Sequence, residues 1–406
     1  MRSPWWVVFG ATLGLMVANG PIVFFTFGLF LGPITREFGW DRATFASSLL
    51  VGHTLAAIAY PFMGRAIDRH GIRRMTLTFI PIFALATAAI ALTPPSPAVF
   101  LMLAGLCGLV SVGQAPPAYA KAVSAWFDER RGLALGIAMA GIGLGATLVP
   151  QFARWVIATW GWRAGYVALG ALTFSVAFPA VAIFIREPER TVRGVRLQPD
   201  QNERGDAALP GLSVAESVRS SSFWLLAVAV FLVVTTINGM VGHLVPMLTD
   251  RGLDVRQATD ALSAVGLATI AGRVIAGSLL DRFFAPYVAA GLFLLPIAAI
   301  VLLMTGAGGM TPVLAAMALG FGLGAEVDVI GFLAGRYFGL RAYGEIYGYL
   351  FAIFTLGTGL GPVLMALAFD VTRSYNVTLT GFAVALVCAS ALVSRLGAYV
   401  FPARHV

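Results

Sequence analysis

A chain of 406 residues in which 59% are hydrophobic and 11% charged is not a water-soluble globular protein, since such domains carry about 25% charged residues. The net charge of +8 does not point to a nucleic-acid binder, because the cations collect in particular loops between apolar runs. Cys107 and Cys388 both lie inside apolar runs and form no disulfide or metal framework.

Apolar stretches of about 20 residues with short loops fit about twelve membrane crossings into this length. The first, 6–32, is too long for a signal-peptide core and has no small-residue cleavage site. It reads as span 1, anchored at the interface by Trp5 and Trp6. Spans 2 to 6 follow at about 44–63, 75–92, 98–124, 133–159 and 163–185. The segment 186–219 holds Pro, Gly, Asp, Glu and Arg without apolar period and reads as a linker, with a short surface helix near 213–218. Spans 7 to 12 are expected at about 223–248, 257–280, 286–306, 312–337, 343–369 and 377–401. The expected fold is an all-α membrane protein of twelve helices in two pseudo-symmetric six-helix bundles, 1–185 and 221–406, joined by a linker at 186–220.

Loop charge sets the expected orientation. Loops leading from even to odd spans hold Arg65, Arg69, Arg73, Arg74, Arg130, Arg131, Arg282, Arg336 and Arg341, and the linker adds more. Loops on the other side carry fewer cations, several balanced by acids. The positive-inside rule therefore puts both termini and the linker in the cytoplasm of a bacterial inner membrane.

Span 8 contains one residue at odds with its surroundings. Arg273 lies about 12 Å along the helix from Asp281, near the middle of a hydrocarbon core roughly 30 Å thick. A guanidinium there costs at least ~2.5–3.5 kcal/mol and cannot shed its proton. It requires a watery cavity, an acidic partner or an anionic ligand. Glu326 and Asp328 in span 10 are the available acids and candidate proton carriers. Two positions apart on a helix, they point in different directions, so one of them is expected to line a cavity. His53 in span 2 is a third proton-coupling candidate, and His243 in span 7 can donate to a carboxylate. Asn19, Gln114 and Tyr119 on spans 1 and 4 can hydrogen-bond a carboxylate or hydroxyl, although contacts between helices explain such residues equally well. Lys121, the only lysine, reads either as a second anion contact or as a side chain snorkelling to the interface. Phe24, Phe25, Phe27 and Phe30 suggest an aromatic-rich cavity.

The two halves repeat. Sliding Asp281 onto Asp68 also places Pro246 on Pro33, Gly252 on Gly39, Asp254 on Asp41, Gly277 on Gly64 and Arg282 on Arg69. With the offset one residue shorter, Gly344, Gly348, Gly357 and Pro362 fall on Gly132, Gly136, Gly145 and Pro150. Parallel repeats of this kind build a large class of transporters.

Gly64-x-x-x-Asp68-Arg69-x-Gly71-x-Arg73-Arg74 closely resembles the loop motif between spans 2 and 3 of the major facilitator superfamily, with a partial copy at Gly277-x-x-x-Asp281-Arg282. The resemblance covers all of the chain except the linker. It implies a latch holding the halves together in the outward-open state, made by Asp68 and Arg69 with Arg130, Arg131 and the start of span 11 near Glu345. The segment from Trp126 to Gly145 and the Gly324–Gly339 pattern resemble the monocarboxylate-transporter-like and oxalate/formate-antiporter-like branch. In that branch an Arg in mid-span 8 binds the substrate carboxylate, and Arg273 occupies its place. The acid that animal members carry one turn earlier is Thr269 here, and neither span 1 nor span 11 has a lysine.

No nucleotide-binding loop, zinc pattern or catalytic triad is present, so no cofactor, metal or enzymatic activity is expected. The chain reads as a secondary transporter of a small organic anion, a monocarboxylate, working by alternating access with proton coupling. Anion exchange, export of a larger aromatic acid, and a non-transporting sensor are the alternatives. A monomer in the lipid bilayer, without nucleic acid, meets these needs.

Overall fold

The computed structural model describes residues 3–127, 131–186, 211–306, 308–339 and 341–401, without the side chains at 61, 68, 131, 132, 281 and 344. Among the described residues, eleven stretches are long and apolar enough to cross a membrane, and one of these, Leu133–Phe184, crosses twice. The helix that contains it has 54 residues, about 80 Å of rise against a core of ~30 Å. It doubles back at Gly161, where φ is 82°, a conformation glycine adopts without a Cβ penalty.

Span 1 is Trp5–Phe38 and span 2 Arg42–His70. Span 3 is Ile72–Leu92, span 4 Pro97–Ser124, and spans 5 and 6 are the arms 131–160 and 162–184. Spans 7 to 9 are Ser221–Asp250, Val255–Arg282 and Ala285–Thr305. Spans 10 to 12 are Thr311–Phe338, Tyr343–Thr372 and Asn376–Ser394. One face carries both ends of the described chain. It is called here the terminal face, and the opposite one the distal face.

The internal repeat has a structural cause. Asp41 accepts a hydrogen bond from the Thr44 amide (2.6 Å), and Asp254 accepts one from the Gln257 amide (2.7 Å). Both aspartates satisfy otherwise orphaned donors at the start of a span. Gly39 and Gly252, two residues earlier, both have positive φ. The same turn chemistry therefore starts spans 2 and 8.

Several spans differ from the sequence reading in their ends or their continuity. Span 2 continues through Gly64 to His70, so Gly64 to Arg69 are helical and the turn is at Gly71 (φ 85°). Span 12 ends at Ser394; beyond it the Phe401 amide donates to the Arg336 carbonyl and the Tyr337 hydroxyl to that of Gly397. Spans 1 and 4 are interrupted in mid-membrane. Span 1 passes through a wide turn at Gly20–Phe24. Span 4 tightens at Val112–Gln114, extends at Ala115 and restarts as Pro116–Ser124. Such interruptions survive in a membrane where they are packed in protein or line a wet cavity.

The short helix Val214–Arg219 is present, started by a capping box between Ser213 and Glu216. The Ser213 amide, joined by its hydroxyl, holds the Glu216 carboxyl below the usual range.

The two groups of spans touch mainly in their distal halves, at glycines. A Cβ on Gly28 of span 1 would lie 2.9 Å from the Gly242 carbonyl of span 7, and one on Gly143 of span 5 would lie 2.9 Å from that of Gly266 in span 8. On Gly359 of span 11 it would lie 2.9 Å from Leu50 Cα of span 2. Toward the terminal face the spans part around a cavity walled by Tyr60, Ala120, Leu135, Met139 and Tyr347.

This seam gives a first prediction. Gly359→Leu leaves no room for distal closure and favours the alternative state. A cysteine at Ala120, in a background lacking Cys107 and Cys388, should then react with an impermeant maleimide about fivefold more slowly or less. Unchanged reactivity would show that the seam does not set the state.

Candidate functional site

A cavity of ≈ 590 Å³ lies between the two groups of spans. Its charged lining residues, among those described, are Arg273, Glu326 and Asp328, all on spans 8 and 10. Glycine sets their spacing. A Cβ on Gly324 would come within 2.8 Å of the Arg273 backbone nitrogen, and one on Gly272 within 2.6 Å of the Phe321 carbonyl. Bare backbone at both positions lets span 10 lie directly against span 8. Arg273 Nε then stands 3.9 Å from Asp328 Oδ2, with the two side chains 21% and 31% exposed. That separation is an electrostatic contact rather than a hydrogen bond. Arg273 makes no hydrogen bond among the described residues, so its donor fork is uncommitted. Thr269, one turn earlier, lines the cavity and donates to the Val265 carbonyl (2.8 Å).

Glu326 is 2% exposed, and among the described residues neither carboxyl oxygen accepts a hydrogen bond of good geometry, the Asn238 side chain being close enough only for a weak one. It borders the cavity on the side of Asn238, whose amide donates to the Val234 carbonyl (2.9 Å). Both acids therefore border the cavity, where the helical spacing led us to expect one. The cavity wraps span 10, and Glu326 turns toward span 7 while Asp328 turns toward span 8.

Asn19 and His53 also line the cavity, on spans 1 and 2. The Leu49 carbonyl, 2.8 Å from His53 Nδ1, can only accept, which places a proton on Nδ1. The other candidates are elsewhere. Gln114 and Tyr119 are buried in the first half, and the Tyr119 ring packs on Gly14 of span 1. Lys121 is exposed near the terminal face, and none of these three lines the cavity. Of the four phenylalanines only Phe24 and Phe25 border it; Phe30 stacks on Tyr166 and Phe27 packs tilted against Phe45.

His243 is fully buried in the distal seam, with Nδ1 3.5 Å from the Tyr375 hydroxyl and its ring 6.0 Å from Phe27. Beside it lies a cluster that sequence reasoning missed. Arg42 binds Asp250 with both fork nitrogens (2.6 and 2.9 Å) and also donates to the Tyr375 hydroxyl. Its guanidinium covers the Phe369 ring at 3.8 Å. Asp370 accepts from the amides of Arg42 and Ala43 (3.3 and 2.8 Å), at the start of span 2. Burial pushes the Tyr375 hydroxyl upward, so it stays protonated as a donor. First-half Arg42 is thus tied to four second-half residues across the distal face.

Of the expected latch, Arg69, Arg74, Arg282 and Glu345 are exposed, and Arg73 donates to the Ala182 carbonyl (2.8 Å) within its own half. A Cβ on Gly64 would touch nothing. The side chains of Asp68, Arg131 and Asp281, and all of Arg130, lie outside the described residues.

A cavity closed on one face, set between two repeated groups of helices, is the architecture of an alternating-access carrier. The sequence comparisons agree. The model of the Major Facilitator Superfamily matches residues 13–362, and the chain belongs to that superfamily, whose members are transporters and not enzymes. It is similar to the uncharacterized MFS-type transporter YhjX of Escherichia coli (strain K12), 24% identical over 370 residues covering 89% of this chain and 86% of that protein. It is also similar to monocarboxylate transporter 13 of Bos taurus, 26% identical over 266 residues, 63% of this chain and 58% of that one. A bacterial homologue of the human lysosomal transporter Spinster, solved in an inward-facing and occupied conformation, shares the fold. Its TM-score is 0.67 at 19% identity, covering 97% of this chain and 95% of that one.

The distal cluster can be tested directly. Asp250→Asn removes one charge from a bidentate pair worth about 1 kcal/mol, which shifts the balance of states about fivefold toward distal opening. The rate of maleimide labelling at Ala120→Cys should fall accordingly; a rate equal to that of the parent would remove Arg42–Asp250 as a closing contact.

Proposed function

We propose that the chain carries a small organic anion, a monocarboxylate, across the membrane by alternating access, with a proton moving in the same direction. The observation that carries this reading is Arg273: a permanent cation at mid-depth, beside a water-accessible cavity, facing an acid too distant for a hydrogen bond. A visiting carboxylate takes up the free fork in bidentate fashion. The resemblance of the chain to a monocarboxylate transporter over part of its length supports the same substrate class.

Glu326 is the proposed proton carrier. A carboxylate buried this deeply, with only the Asn238 amide beside it, costs far more than the neutral acid in the same place. Asp328 is the counter-ion that the substrate displaces from Arg273. Because that counter-ion stays with the carrier, the empty protein can turn over without dragging a bare charge through hydrocarbon, which favours symport over obligatory exchange. His53, across the cavity, is a second proton site. His243, Gln114, Tyr119 and Lys121 have no part in this binding site.

The arginine-rich terminal face is proposed to lie in the cytoplasm of a bacterial inner membrane. The state described here is then the inward-open one.

Uptake of a panel of labelled carboxylates into proteoliposomes, with and without a pH gradient, tests the whole reading. Arg273→Gln loses charge-assisted hydrogen bonds worth about 1.5–3 kcal/mol, a roughly 10- to 100-fold fall in uptake of every carboxylate; undiminished uptake would refute the anchor. Glu326→Gln should keep exchange of labelled for unlabelled substrate but lose accumulation driven by the pH gradient. If Glu326→Gln still accumulates substrate, another group carries the proton.

A further inference from the structure

The cavity has an apolar side as definite as its charged one. Along span 11, Tyr343, Tyr347, Phe351 and Phe354 form a column of stacked rings. Successive centroids are 5.8, 5.9 and 5.3 Å apart, with planes inclined by 18°, 22° and 10°. A stripe at this spacing ordinarily packs into a neighbouring helix. This one does so only in part: Tyr343 and Tyr347 lie against Gly331 of span 10, yet Tyr347, Phe351 and Phe354 are half-buried and border the open cavity. From the other half, Tyr60 of span 2 meets the Phe351 ring edge-on at 5.8 Å. Phe24 and Phe25 of span 1, in edge contact at 5.4 Å, line the same space. Six rings from three spans thus surround one volume. The column leads to the charged end, because Tyr347 lies within electrostatic range of both Asp328 and Arg273.

Rings held against water inside a cavity are unsatisfied surface, as an exposed apolar patch is. A two- or three-carbon acid on Arg273 leaves most of them wet. A planar ring carried by the same acid fills the space between the column and the first-half rings, in the offset and edge-on contacts that aromatic groups prefer. We infer that the preferred substrate is an aromatic monocarboxylate, its carboxylate on Arg273 and its ring among Tyr347, Phe351 and Tyr60. This inference rests on the anion-carrier reading and narrows its substrate class.

Isothermal titration of the purified full chain separates ring from charge with two matched pairs. The acids are benzoate and cyclohexanecarboxylate, equal in charge and similar in size. The neutral amides are benzamide and cyclohexanecarboxamide. The expected result is a three- to tenfold preference (roughly) for the aromatic member of the acid pair. Equal or reversed affinities would overturn the inference. Phe351→Leu, and independently Tyr60→Leu, should bring the benzoate-to-cyclohexanecarboxylate ratio close to one. A ratio unaltered in both variants would also overturn it. Arg273→Gln distinguishes the two layers of the argument. Loss of both acids, with the aromatic amide still preferred, upholds both. Retained acid affinity sinks the anion reading, and the amide pair then decides the ring: preference for benzamide upholds the aromatic assignment, and its absence overturns it.

Discussion

A guanidinium cannot be left in hydrocarbon, and it cannot escape by losing its proton. Much of the centre of this molecule meets that one requirement. Gly272 and Gly324 bring spans 8 and 10 into backbone contact and set Asp328 opposite Arg273. A cavity admits water to the pair, and the interruptions of spans 1 and 4 shape its first-half wall. The pair stays loose at 3.9 Å. A tight, fully bonded pair would satisfy the charge equally well but would leave nothing for a visitor to bind. The same looseness that makes the arrangement weak as structure makes it useful as a site.

The two faces are built by different physics. Distal closure relies on glycines that admit backbone contact and on a cross-half charge cluster centred on Arg42. Close packing and a bidentate pair both lose most of their strength after a small separation. A seam of this type is therefore held or released, with little in between. On the terminal face the described charged side chains of the motif are exposed to solvent, and Arg73 bonds within its own half.

Much of this was legible in the sequence. A membrane helix is apolar all round its circumference, so span number and approximate position follow from composition alone. Asp41 with Asp254, and Gly39 with Gly252, stand out as a repeat because each pair makes the same turn. Arg273 is conspicuous because hydropathy opposes it. What a uniformly apolar helix hides is azimuth. Depth along span 4 or span 7 can be counted, but the side from which a residue projects cannot, and so His243, Gln114 and Tyr119 were placed at a cavity they do not reach. The cluster on Arg42 joins residues 208 and 328 positions apart, a distance at which a single sequence carries no pairing signal. The aromatic column is different: Tyr343, Tyr347 and Phe351 recur at one-turn spacing, and that pattern was available to a closer reading.

The distribution of charge around the cavity has an electrical consequence. Arg273, Glu326 and Asp328 all belong to the second half, whereas the described first-half lining has neither an acid nor a permanent cation. In the proposed rocking of the halves, the described cavity wall that the first half contributes moves no fixed charge through the membrane's electric field, in which each elementary charge counts for about 2.3 kcal/mol per 100 mV. At the cavity, the membrane potential then acts on the proposed cargo and proton and on the second-half charges, not on the first-half wall.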